Sequence, residues 1–297
     1  MLAVVLACFA AGLVAQRIWP PARRAVPALD VAVVWVAVPA LVLARLPELA
    51  IGADLAVPVA AAWAAITLAA AVVLLAARLE GWDRRTTGAL LLVTPLGNTT
   101  FLGLPMVESL LGADELVRAL AFDQLGTFLG LATYGSVVAA TYGSGAAGPR
   151  AILVRLLRFP PFLAVLASFA LRHVDLPELV DDSLTVGGRL VAPMAMLALG
   201  LRFRVLADAG ARRAAIWCLS TKMVLLPAVV LVVASFAGGL DDPAWRASVL
   251  ESGMPPMVTA GLVAAGAGLD DELATTVVGV GLLIAVVSIP LLALALG

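Results

Sequence analysis

The sequence predicts an all-α integral membrane protein of ten transmembrane helices, built as two inverted five-helix repeats. Three observations predict it. Hydrophobic residues make up 63% of the 297 residues and charged ones only 13%, with a mean hydropathy of +1.08; soluble domains average about 25% charged residues. Arginines gather at alternate connections between the apolar runs. Two polar, proline-bearing interruptions occupy corresponding places in the two halves, one over residues 97–105 and one over 251–259.

A crossing needs about 20 apolar residues. Ten runs meet that length: 2–18, 28–46, 55–77, 87–111, 116–141, 151–171, 181–202, 213–237, 243–267 and 272–296. Alanine and leucine dominate them, except that the fourth and ninth are long and interrupted by Gly, Pro, Thr and Ser. The first run lacks the basic segment that opens a signal peptide, and its arginines (Arg17, Arg23, Arg24) come after it. That order suits a first span entering from outside. Arg78, Arg84 and Arg85 follow the third span, Arg150, Arg155 and Arg158 the fifth, and Arg202, Arg204, Arg212 and Arg213 the seventh. Positive charge marks the inner side, so both termini are expected outside, in a multi-pass protein of the plasma (inner) membrane. Asp270, Asp271 and Glu272 carry the opposite sign on that inner side, but acidic residues weigh little in the rule. Trp19, Trp82 and Trp245 suit interfacial belts, and His173, beside Arg172 and Asp175, suits an outer loop.

The halves repeat. Pro39-Ala40-Leu41 is answered by Pro193-Met194-Ala195, and Pro105-Met106-Val107 by Pro256-Met257-Val258. Gly112-Ala113-Asp114-Glu115-Leu116 is echoed by Gly268-Leu269-Asp270-Asp271-Glu272-Leu273, and a linker-like stretch, Tyr142 to Pro149, parts the copies. The repeats are therefore 1–148 and 149–297. Five spans is an odd number, so the second copy enters the membrane inverted, as in secondary transporters whose site lies at paired helix breaks.

At each break one half-helix ends and another begins. Pro105, and either Pro255 or Pro256, suit the first turn of the second half-helix, where a missing N–H removes no bond. Such N-termini carry about +0.5 charge and unpaired N–H donors, which attract anions. Asn98, Thr99 and Thr100 add side-chain donors at the first break, Ser252 and Thr259 flank the second, and Gln124 in span five is a further donor. Gly103, Pro105, Met254, Pro255 and Pro256 shape the breaks. For the hydroxyls a second reading stands equally: they bond the carbonyls that a kink sets free.

Four ionisable residues lie within spans, where each is costly: Glu108, Asp123, Lys222 and Glu251. Lys222 neutralises Asp123 or Glu251, takes a substrate anion, or forms a structural ion pair. Glu251 precedes its break near the negative end of a half-helix, a place that recruits Na⁺ or a proton and makes it the leading coupling residue, with Asp123, Lys222 and Ser252 beside it. Glu108 pairs within the bundle.

At these residues the chain resembles the auxin efflux carrier family. The features that carry the resemblance are Gly97-Asn98 through Gly103-Leu104-Pro105, the continuation Leu104-Pro105-Met106-Val107-Glu108, the Pro39 segment and Met254-Pro255-Pro256. The resemblance implies a fold shared with sodium/proton antiporters and bile acid/sodium symporters, in which spans four and nine cross. It implies a scaffold of spans 1, 2, 6 and 7, a transport domain of spans 3–5 and 8–10 moving as an elevator, and a homodimer through the scaffold. It implies a substrate among small organic anions, auxin-like or malonate- and malate-like carboxylates, carried outward or exchanged. Glu251 departs from the family pattern and is similar instead to the symporters, in which a Glu at this point helps hold sodium. That similarity implies the alternative of sodium- or proton-coupled symport.

Other classes are disfavoured. Net charge is −1, which gives no reason to expect a nucleic-acid partner. Cys8 and Cys218 lie within spans without ligand spacing, so neither a disulfide nor a metal centre is expected. No nucleotide-binding loop or catalytic constellation appears, so the chain is expected to be neither an ATP-driven pump nor an enzyme, with no cofactor beyond a coupling Na⁺ or H⁺.

Overall fold

The fold was analysed in a computed structural model that describes residues 2–45, 55–143, 157–158, 160–171, 174, 176–203, 209–237 and 239–296. His173, with Arg172 and Asp175, lies outside the described residues, as do Arg150, Arg155, Arg204 and most of the linker-like stretch. The described residues are helical, and the sole extended pairing among them is one isolated bridge.

We number the helices α1 (Leu2–Ile18), α2 (Pro20–Ala44), α3 (Ala56–Glu80), α4 (Arg84–Val93), α5 (99–110), α6 (116–142), α7 (Pro160–Leu171), α8 (Glu178–Arg202), α9 (Ala209–Ala237), α10 (Pro243–Ser252), α11 (Val258–Gly266) and α12 (Asp271–Leu294). Five of these, α2, α3, α8, α9 and α12, are long and apolar enough to cross a membrane.

Three of the helices contain a π-helical turn that ends two residues before a proline: Val33–Ala37 before Pro39, Thr99–Gly103 before Pro105, and Thr221–Leu225 before Pro227. A proline ring collides with the carbonyl four residues back, and a widened turn moves that carbonyl away. Two more π-helical stretches, Phe122–Phe128 and Leu131–Gly135, lie in α6 without a proline. Their loosened carbonyls and turns are pinned from outside. The Trp63 indole N–H donates to the Leu125 carbonyl at 3.0 Å, and the Tyr134 hydroxyl donates to the Leu91 carbonyl at 2.8 Å.

Packing sorts the helices into two groups. In the first, α1 lies along the second half of α8, while α2 packs on α7 and on the first half of α8. Gly12 and Gly200 let α1 and α8 touch backbone to backbone: a Cβ on Gly200 would stand 2.3 Å from the Phe9 carbonyl oxygen and 2.9 Å from the Gly12 Cα. Without a hydrophobic drive between apolar helices in lipid, close approach through small residues supplies the attraction. Buried Gln16 of α1 strengthens the contact by donating to the Gly200 and Phe203 carbonyls at the end of α8. In the second group, α3 packs on α6, α9 and α10, and α4 on α11 and α12.

Asp83 opens α4 by accepting from the Thr86 backbone N–H at 2.7 Å, a bond that holds its carboxyl below the ordinary value of 3.8. Asp83→Ala is expected to cost about 1 kcal/mol, the usual worth of an N-cap. Because the folded-state pKa is depressed, the contribution is present above the unfolded value and lost as pH falls through the folded one. Thermal melting of the two proteins should therefore converge in acid, and a gap that is constant with pH would contradict this role.

Candidate functional site

The two interrupted helices meet backbone to backbone. Between α4 and α5 the chain leaves the helix over 94–98, and between α10 and α11 over 253–257. Gly97 and Pro256 face each other in an antiparallel bridge. The Asn98 N–H donates to the Pro255 carbonyl at 2.7 Å, and the Met257 N–H donates to the Leu96 carbonyl at 2.8 Å. Each irregular segment thereby satisfies the other, which is how non-helical backbone persists away from water.

This geometry corrects the placement of the first break. The expected proline, Pro105, lies beyond it, inside a helix that has already resumed at Thr99, where the π-helical turn over Thr99–Gly103 accommodates the ring. The break's own proline is Pro95, which the sequence reading passed over; its signal was Thr94-Pro95-Leu96-Gly97, a proline and a glycine two residues apart. At the second break, Met254, Pro255 and Pro256 all lie in the irregular segment, and α11 starts after them at Val258, so neither proline occupies its first turn.

Buried polar groups crowd round the junction. Asp123, in the π-helical part of α6 and fully buried, accepts from Thr99 Oγ1 at 2.5 Å, from Thr100 Oγ1 at 2.8 Å and from Gln124 Nε2 at 2.7 Å. Three donors read as substrate ligands are thus engaged in holding a carboxylate. Lys222, in the π-helical turn of α9, donates from Nζ to the Ser252 carbonyl at 3.1 Å. A cation at the negative end of α10 is favourable, so Lys222 caps that half-helix. Ser252 itself donates from Oγ to the Val249 carbonyl at 2.8 Å.

Glu251 is different. It is 0% exposed, and neither carboxylate oxygen has a hydrogen-bond partner. It lies against Gly103, where a Cβ would come within 2.2 Å of Oε2, so any larger residue there displaces the carboxylate. Lys222 makes the same use of Gly97, where a Cβ would stand 3.0 Å from Nζ. Asn98 Oδ1 and Thr259 Oγ1 are likewise buried and unpartnered. Glu251, Asn98 and Thr259 therefore bring four unpaired oxygens to one junction. Glu108, by contrast, is exposed on α5 and takes no part.

A family model described as membrane transport protein, the auxin efflux carrier family, matches residues 1–146 and 149–293. The chain belongs to this family. Two similar proteins are uncharacterized transporters. An uncharacterized transporter from Methanothermobacter thermautotrophicus is 28% identical over 229 residues, covering 76% of this chain and 73% of its own length. The uncharacterized transporter MJ1031 from Methanocaldococcus jannaschii is 32% identical over 119 residues, 38% of each chain. As a member of the auxin efflux carrier family the protein is a multi-pass membrane transporter and not an enzyme. In this transporter, the paired breaks and the buried groups around them form the candidate transport site.

Proposed function

We propose that the protein is a secondary transporter of small organic anions, carboxylates above all, working by elevator-type alternating access in the plasma (inner) membrane. The observation that carries this reading is the junction: two half-helix N-termini, at Thr99 and Val258, start from one backbone bridge, with Asn98 ahead of the first and its side chain making no cap bond. Unpaired first-turn N–H groups and the positive helix ends suit a carboxylate. In this proposal the chain crosses the membrane ten times as inverted repeats 1–148 and 149–297, with both termini outside. The division of the family match between residues 146 and 149 is consistent with that boundary. The packing of α1, α2, α7 and α8 as one group supports a scaffold of spans 1, 2, 6 and 7, against which the other helices move. The same scaffold is the proposed homodimer face.

A second reading, coupled symport through Glu251, is favoured by a specific observation. Two acids, Asp123 and Glu251, stand against one base, Lys222, and Glu251 has no hydrogen-bond partner. A substrate anion added to that excess meets repulsion in a low-dielectric site. A Na⁺ ion or a proton on Glu251 removes it, with Asn98 Oδ1 and Thr259 Oγ1 as further oxygen ligands for Na⁺.

The purified protein is expected to gain thermal stability with carboxylates. Asn98→Ala should fold and bind about tenfold more weakly, the worth of one hydrogen bond to a charged group. Unchanged affinity would remove Asn98 from the site. In proteoliposomes, carboxylate flux indifferent to both Na⁺ and proton gradients would leave uncoupled transport and dismiss the second reading.

A further inference from the structure

A cavity of about 340 Å³ lies in the seam between the two helix groups. One wall is α2 of the first group, with Asp30, Val34 and Trp35; the other is the end of α6 and α11 of the second, with Ser136, Val263 and Gly266. The two polar side chains inside it already have partners. Arg202 Nη2 meets both Asp30 oxygens, while its Nη1 donates to Asp271 Oδ1 at 3.0 Å. Ser136 donates from Oγ to the Ala132 carbonyl, one turn back, at 2.6 Å. A buried water or a carboxylate needs free polar partners, and beyond the Trp35 indole the side chains of these walls hold out none. The cavity is suited to hydrocarbon.

Its mouth faces sideways. The cavity opens past Val31 and Trp35, which are 57% and 58% exposed on a helix long and apolar enough to cross a membrane. In a bilayer that mouth meets lipid, and an acyl chain inside it restores the dispersion contacts that an empty void forfeits. The same stripe of α2 also carries a charge. Arg24, Ala28, Val31 and Trp35 fall at helical spacing, and all four are exposed. Arg24 stands about 10 Å closer to the start of the helix than Val31, which suits the headgroup of a lipid whose chain lies in the cavity.

We propose that this cavity is a lipid site: one acyl chain of an anionic phospholipid enters past Val31 and Trp35, and its phosphate rests on Arg24. The chain lies between α2 and α11, so it packs between the two groups that the transport reading sets in relative motion. Lipid and apolar side chains are alike to a chain leaving the bilayer, so the preference comes from packing and from the charge. Protein in detergent, titrated with dioleoyl phosphatidylglycerol and read by native mass spectrometry, is expected to retain one such lipid. It should hold it about fivefold more strongly than dioleoyl phosphatidylcholine, the worth of one arginine near an anionic headgroup. Arg24→Gln should bind the two lipids equally. Gly266→Phe should lose the retained lipid, because a side chain there meets nothing within 4 Å and has the cavity to fill. Its melting without lipid should be no lower than the parent's, which separates a filled site from a damaged fold, and Ala139→Phe on the facing wall should act alike. No preference in the parent, or the parent's preference kept in Arg24→Gln, would overturn the headgroup contact. Phosphatidylglycerol retained equally by both filled variants would overturn the cavity, and glycerol phosphate binding as well as the lipid would reduce the site to one for free anions. Retention is read without flux, so a failed transport reading leaves the lipid site untouched.

Discussion

Glu251→Gln is expected to keep the protein folded while removing any response of flux and thermal stability to Na⁺ or pH, and to abolish coupled flux. The amide has the shape of the carboxylate, so the contact with Gly103 survives. What disappears is a buried charge with no hydrogen-bond partner. Such a charge costs several kcal/mol unless it is paired, and the structure offers it only the fields of Asp123, which repels it, and Lys222, which is committed to the Ser252 carbonyl. The fold therefore gains nothing from the carboxylate, and the variant should melt no lower than the parent. The two measurements are proteoliposome flux under imposed gradients and melting temperature across a Na⁺ and pH series. A variant that retained the parent's gradient dependence would place the coupling ion elsewhere.

Gly200→Leu should be the most damaging single change in the helix packing. A side chain there enters the backbone of α1 at Phe9 and Gly12, and Gly12 faces the reciprocal limit, since its own Cβ would lie 2.6 Å from the Leu197 carbonyl oxygen. Backbone cannot rotate away as a side-chain tip can, so the expected loss is about 3 kcal/mol or more, the upper end of overpacking. It also separates Gln16 from the Gly200 and Phe203 carbonyls. Size-exclusion profile and thermal melting in detergent read the effect. Gly266→Ala is the matched comparison, because nothing lies within 4 Å of a Cβ there and a helical alanine is favoured over glycine. Equal melting of the Gly200→Leu protein and the parent would mean that α1 and α8 do not meet as described.

The sequence by itself determined the helical membrane class, the family and the two places where a helix must break. These are written in local signals: apolar length, arginine at alternate connections, and Gly, Pro and Asn where helix cannot continue. It set the first break a few residues late, over 97–105 where the chain leaves the helix over 94–98, because Pro105 and Pro95 look alike as letters. Only a π-helical turn, set by packing, decides which proline a helix can absorb. Tertiary structure alone decided the roles of the polar groups. Thr99, Thr100 and Gln124 read as ligands until Asp123 was seen to take their donors, and Lys222 read as a partner for an acid until its ammonium met the Ser252 carbonyl. The triad of Asp30, Arg202 and Asp271 had no sequence signal at all, since its members lie on three separate helices. Hydrogen bonds and charge pairs depend on distances of a few ångströms between residues remote in the chain. Periodicity and composition carry no record of those distances.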